Sequence, residues 1–210
     1  MPSCKLSALL GIVLLLTGCA VGVTHQLDTA VPTVPTSGKN SSIAVSAQDQ
    51  RQYVLSGTKP ETFVGLSRGG FGNPFDVNTA SGNSLASDIT KVVATSLSAS
   101  GARVDVIAVA PQEHERAVLD KLAAKKTKAV LVSISEWKTD TYMSVTLHYD
   151  LTLSVVTPDG KVSARKRAFG TEELGSSAIN PPEVSRQKAP PALKRILEQL
   201  FTAPEISAEL

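Results

Sequence analysis

The strongest periodic signal in the chain runs from Met143 to Val155. Met143, Val145, Leu147, Tyr149, Leu151, Leu153 and Val155 fall on one side of a two-residue repeat, and Ser144, Thr146, His148, Asp150, Thr152 and Ser154 fall on the other. Successive side chains of a strand point to opposite faces, so this alternation predicts a strand with one buried and one wet face. Thr157-Pro158-Asp159-Gly160 supplies turn residues, and Lys161 to Phe169 is the expected return strand of a hairpin. His148 and Asp150 then face Arg165 or Arg167 on a solvated sheet face. Ala129 to Trp137 is apolar at both alternating sets, as a central strand requires. Ser42–Ala47 and Arg103–Val109 predict two more strands, and a long polar, glycine-rich stretch lies over roughly 48–83, with Thr62-Phe63-Val64 a short strand candidate within it.

Elsewhere the period becomes helical. Leu85, Ile89, Val92, Val93 and Leu97 form one stripe, Ser84 suits the N-cap, Asp88 the first turn, and Gly101 the stop. A second helix is expected from Pro111 to Lys126 with Val118, Leu119 and Leu122 inward. A third is expected over Pro191–Phe201, burying Leu193, Ile196, Leu197 and Leu200. The order β-α-β-α-β-β-β-α predicts a two-layer α/β domain over 41–205. Its sheet is mixed, because helical crossovers join parallel strands while the terminal hairpin is antiparallel, and its helices lie mainly on one face.

The first nineteen residues carry a different message. Lys5 precedes the apolar run Leu9–Leu16, which is too short to span a ~30 Å hydrocarbon core. Leu16-Thr17-Gly18-Cys19 matches the lipobox of bacterial lipoproteins. The match implies a signal peptide over 1–18, cleavage between Gly18 and Cys19, a diacylglycerol thioether on the Cys19 sulfur and acylation of the new terminus. At ~0.8 kcal/mol per buried methylene, two or three acyl chains anchor stably where one does not. Cys4 leaves with the signal peptide and Cys19 is consumed, so no thiol remains for a disulfide, a metal or nucleophilic catalysis. Ala20 stands where an aspartate would favour inner-membrane retention. In a Gram-negative host the expected address is therefore the periplasmic face of the outer membrane. Residues 20–40 have neither period and contain Pro32, Pro35 and Gly38. They read as a flexible tether from the lipidated Cys19 (19–40), of ~25 Å reach, with His25 a solvated linker residue.

Composition narrows the partners. Formal net charge is +2, and loss of Lys5 leaves the mature chain nearly neutral, giving no electrostatic case for nucleic acid. Five Phe, three Tyr and one Trp make stacking on bases or sugars a weak expectation. The expected partners are the membrane, through the lipid anchor, and an envelope protein or glycolipid; no cofactor or metal is expected. His114-Glu115 starts like H-E-x-x-H, but Val118 stands at the second histidine. Asp76 and Asn78 start like a calcium loop, but Ala80 and Ser87 replace needed oxygen ligands.

Gly65-Leu66-Ser67-Arg68-Gly69 matches G-x-S-x-G, the nucleophile elbow of α/β-hydrolases, which requires a strand before the serine and a helix directly after it. Gly69-Gly70-Phe71-Gly72-Asn73-Pro74 cannot start that helix, and it lacks the G-K-[ST] of a phosphate loop. The stretch reads as an Ω-type loop pinned by Phe71 and Phe75. Its composition marks Arg68, Gly69, Gly70, Phe71 and Gly72 as a candidate partner or ligand contact, Arg68 supplying the polar contact and Phe71 the apolar one.

The lipobox, the Thr/Pro-containing tether, the first strand running into Ala47-Gln48-Asp49-Gln50-Arg51, the glycine-stopped helix, the D-G-K hairpin and the C-terminal helix together resemble the YajG-type family of small bacterial lipoproteins. The element order is also similar to TolB-amino-terminal-like domains, which act by binding partners. The resemblance implies a lipid-anchored envelope protein and carries no catalytic residues with it. The expected function is a non-enzymatic binding or accessory module. The alternatives are a serine hydrolase using Ser67 and an accessory subunit of an envelope transporter.

Overall fold

The computed structural model describes residues 22–34 and 41–210, so the signal peptide, Gly18 and Cys19 lie outside the described residues. In chain order the elements are β1 (Thr24–His25), a 3-10 turn (Leu27–Thr29), β2 (Ser42–Asp49), α1 (Gln52–Leu55), β3 (Phe63–Arg68), β4 (Pro74–Thr79) and α2 (Leu85–Ala99). They continue with β5 (Arg103–Val106), α3 (Glu115–Ala123), β6 (Lys128–Thr141), β7 (Ser144–Val156), β8 (Val162–Ser176), α4 (Pro181–Phe201) and α5 (Pro204–Ser207). Every element expected from periodicity forms, in the expected order, and the fold is the mixed α/β domain that the pattern implies.

The sheet forks at β6. Along one edge β6 pairs antiparallel with β7, which pairs antiparallel with β8. The other edge is shared. Its first half, Lys128 to Ile134, pairs in parallel with β2, which carries β5 beyond it. Its last residues, Thr139 to Thr141, pair in parallel with β3, followed by β4 and β1. Between Ile134 and Thr139 neither strand supplies a ladder partner, and backbone groups there need another one.

Asp49-Gln50-Arg51 fills that gap. Gln50 N donates to Ile134 O at 2.8 Å. Arg51 is fully buried and donates through Nη1 to Phe63 O at 2.5 Å and Trp137 O at 3.2 Å, and through Nη2 to Glu61 O at 3.3 Å. Its charge is met by Asp49, with Nε to Oδ1 at 2.8 Å and Nη2 to Oδ2 at 2.6 Å. Burial works against the guanidinium charge, and the Asp49 carboxylate together with Tyr53 more than offsets it, leaving the Arg51 pKa raised. β3 sits close enough to β6 that a Cβ on Gly65 would lie 2.0 Å from Thr139 Oγ1 and 2.8 Å from the Thr139 carbonyl oxygen. Only glycine fits there.

Most of the core lies between one sheet face and the helices α2 and α4: Ile43, Val45, Val130, Val132, Leu151 and Leu153 meet Ile89, Val93, Leu97, Leu193 and Leu197. Ser84 caps α2 by accepting from Ser87 N at 3.1 Å, and Gly101 ends the turn after it at φ 102°. Val118 and Leu122 of α3 cover Ala44, Ala129, Leu131 and Val156 on the other face.

Three expectations change. The stretch 48–83 holds more structure than the single strand candidate Thr62-Phe63-Val64: α1, and a β3–β4 hairpin in place of the Ω-type loop. Helix α4 begins ten residues before Pro191: Asn180 Oδ1 accepts from Glu183 N at 3.2 Å, and Pro181 and Pro182 occupy first-turn positions where no N–H is needed. Pro190 and Pro191 lie inside the helix, and the carbonyls they deprive of donors belong to Arg186 and Gln187, both exposed. Burying Leu193, Ile196, Leu197, Leu200 and Phe201 completely, at ~1.5–3 kcal/mol each, outweighs ~3 kcal/mol per interior proline.

The third change concerns the tether. Residues 24–34 dock onto the domain. β1 pairs with β4, Leu27 is fully buried, Ser96 Oγ donates to Pro32 O, Lys91 pairs with Asp28 at 2.9 Å, and Thr33 N donates to Glu198 Oε1 at 2.8 Å. His25 is therefore no linker residue. It is buried with Nε2 2.9 Å from Ser185 Oγ of α4, and burial lowers its pKa from 6.5 to about 4.

Candidate binding surfaces

Residues 65–75 form a hairpin. The ladder pairs Arg68 with Pro74, Ser67 with Phe75 and, across β6, Ser67 with Thr141. Gly69 N donates to Asn73 O at 2.9 Å, and Gly72 takes φ 81°, the positive value that a glycine tip supplies. Gly69 and Gly70 complete the turn. Phe71 is 100% exposed and Phe75 53%, so neither pins the loop to the domain. Arg68 instead secures it: Nε donates to Asp140 Oδ1 at 2.7 Å and Nη2 to Oδ2 at 2.6 Å. The hydrogen bonds from Arg68 hold the Asp140 carboxyl below its usual range. Arg68 is already engaged by this carboxylate and braces the hairpin, while Phe71 projects from it.

The same end of the sheet carries two more loops. Thr141 pairs with Val145 around a tight turn in which Tyr142 N donates to Ser144 O at 3.0 Å. Ser144 pairs with Ser176, and Ser177 N donates to Met143 O at 3.2 Å, which places the β8–α4 connection beside that turn. Tyr142 (48%), Met143 (65%) and Ile179 (96%) are exposed. Met143, expected on the buried face of its strand, lies one residue outside β7 and turns outward. Sequence reasoning singled out Phe71 and missed its companions. The available signal was apolar side chains at turn positions, where polar residues and glycine are usual.

Ser67 does not sit on an elbow. It is inside β3 with β4 on one side and β6 on the other, and the chain after it turns into another strand. The geometry that exposes a nucleophile beside an oxyanion hole is missing. His148 and Asp150 join a surface ladder as expected. Arg167 donates to both Asp150 oxygens at 2.7 and 2.6 Å, and His148 Nδ1 lies 3.1 Å from Thr171 Oγ1.

A second surface opens where β5 leaves β2. Ile107 N still donates to Val45 O at 2.9 Å, but Ala47 N turns to Thr90 Oγ1 of α2 at 2.9 Å. Gln48 Nε2 draws the departing chain aside, donating to Glu113 O at 2.7 Å. Between α2 and this chain lies a groove of about 600 Å³ lined by Ala47, Ala94, Val104, Val106 and Ile107, with Thr90 and Lys91 among its polar groups. β5 pairs only with β2 among the described strands, so its other backbone edge has no ladder partner there, and Val104 and Val106 of the same strand line the groove.

No family model matches the sequence, and no curated protein sequence does. The structure is similar to that of a Xanthomonas campestris protein of the family model DUF330, at TM-score 0.51 and 12% identity, covering 84% of this chain and 89% of that one. PelC from Paraburkholderia phytofirmans, described as a dodecamer, overlays at TM-score 0.42 and 15% identity over 81% of this chain and 94% of that one. Lipoprotein GNA1162 from Neisseria meningitidis overlays at TM-score 0.30 and 11% identity over 78% of this chain and 99% of that one. The first is a likeness of fold alone; the other two share a loose outline.

Proposed function

We propose that this protein is a lipid-anchored cell-envelope lipoprotein, held on the periplasmic face of the outer membrane through Cys19. In this reading its α/β domain binds an envelope protein and catalyses no reaction of its own. The groove between α2 and β5 supports this reading most directly. An open strand edge beside an apolar trough suits an extended polypeptide segment, with backbone hydrogen bonds giving affinity and side-chain pockets giving selectivity. The lipobox supports the anchor, and the YajG-type resemblance points the same way. The hydrolase alternative loses its support with Ser67 held inside a ladder, and Ser67 is expected to stay unlabelled by fluorophosphonates.

The test is photo-crosslinking in cells from position 106, where Val106 is 60% exposed and its replacement leaves the core intact. A discrete protein adduct is expected. Ala94→Trp, which fills the groove from α2, should abolish it. An absent adduct, or one indifferent to Ala94→Trp, removes the groove as the binding site.

A further inference from the structure

The three loops at the open end of the sheet differ from the rest of the surface in composition. None of residues 69–75, 141–144 and 174–182 is charged. Most of the charges bordering them are paired: Arg68 with Asp140 at 2.6 Å, Lys59 with Asp76 at 2.5 Å, Arg186 with Glu183 at 2.6 Å and Arg195 with Glu172 at 2.5 Å. Glu173, at the start of the third loop, is exposed and makes no ion pair among the described residues. From this neutral rim project Phe71, Phe75, Tyr142, Met143 and Ile179. They are spread across the β4–β3–β6–β7–β8 ladder, roughly 20 Å wide at ~4.8 Å per strand step. The opposite end carries Lys125, Lys126, Lys128, Asp159 and Lys161.

Strand direction says which way this end faces. β1 pairs with β4 in parallel, Thr24 with Asn78 and His25 with Thr79. β4 starts at Pro74, directly after the hairpin turn. The chain therefore enters β1 from the side of the apolar loops. Residues 20–23 alone separate Cys19 from Thr24, and a fully extended stretch of that length reaches at most ~17 Å. Because residues 24–34 are docked, there is no twenty-residue tether to let the domain turn away.

We infer that the loops bearing Phe71, Tyr142, Met143 and Ile179 are a second, non-covalent membrane contact that lies in the headgroup region of the bilayer holding the Cys19 acyl chains. This rests on the lipid-anchor reading above. Aromatic and apolar side chains on an uncharged rim match the interface, where rings of this kind concentrate. The contact fixes the orientation of the domain, with the strands of the open end pointing at the membrane and the charged end pointing away.

The full acylated protein, purified from membranes and reconstituted into phosphatidylethanolamine–phosphatidylglycerol vesicles with and without brominated acyl chains, reads this directly. The native Trp137 is fully buried and gives a constant background. Phe71→Trp and Ile179→Trp, both at nearly fully exposed positions, should lose half or more of their added emission to the brominated lipid. Pro158→Trp, at the charged end, should lose none. Equal, negligible quenching at all three positions in protein that floats with the vesicles overturns the membrane contact while leaving the anchor standing. It would free the loops for a protein partner. Protein whose mass shows no acyl chains and which fails to float overturns the anchor, and the inference with it.

Discussion

The fork of the sheet and its open end invert the usual distribution of residue types in opposite senses. At the fork a charged pair, Asp49 and Arg51, is fully buried. At the open end an aromatic ring, Phe71, is fully exposed. The buried pair is explained within the domain, because each hydrogen bond of the guanidinium ends on Asp49 or on a backbone carbonyl at or beside the fork, those of Glu61, Phe63 and Trp137. The exposed ring has no such explanation inside the molecule, since nothing in the domain covers it. A satisfied anomaly reports on folding, and an unsatisfied one reports on an encounter with something outside.

Substitutions at the two regions should therefore separate stability from contact. The largest effect is expected at the fork. Arg51→Met leaves Asp49 buried without its cation and strips Phe63 O of its guanidinium donor, while Trp137 O keeps only the Tyr53 hydroxyl at 3.0 Å, at a cost of about 3–5 kcal/mol, measurable as a lower denaturation midpoint in urea.

His25 should give the next largest effect, and a pH-dependent one. Its folded pKa, about 4, is below the ordinary 6.5, so the unfolded chain binds the proton first as pH falls. The stabilisation is complete above pH 6.5 and is lost progressively down to pH 4, by about 3 kcal/mol. The difference in unfolding free energy between the parent and His25→Gln should change with pH across that window by about this amount. A constant difference would remove the assignment of a neutral buried imidazole.

Gly65→Ala comes third. The new methyl group meets the Thr139 side chain and carbonyl where β3 and β6 approach, and the expected loss is ~1–3 kcal/mol in the same urea titration. Phe71→Ser should alter stability least, by no more than ~0.5 kcal/mol. A loss comparable to that at Gly65 would show that the ring is packed, and would erase the contrast between the two regions.

The fold was legible because its main elements carry strong periods. The alternation 143–155, the stripe Leu85–Leu97 and the caps at Ser84 and Gly101 are local signals, and the structure keeps them. What escaped was decided by tertiary contacts. Pro191 reads as a helix start because interior proline is costly, yet the apolar face of α4 more than compensates for it and for Pro190. His25 read as linker because a two-residue strand has no period, and only its pairing with β4 and Ser185 buries it. β3 hides its alternation behind Gly65, which the close approach to Thr139 demands. Phe71 was visible as an aromatic among glycines. Its alignment with Tyr142, Met143 and Ile179 needed the register of four strand pairings, which no single stretch of sequence contains.

The membrane contact of the open end depends on the lipid at Cys19, which is open to direct measurement. Cells producing the full chain or its Cys19→Ser variant are grown with radioactive palmitate, and the protein is isolated from each. Label on the parent and none on Cys19→Ser is the expected result. Label retained by Cys19→Ser, or absent from both at equal protein levels, would contradict the account.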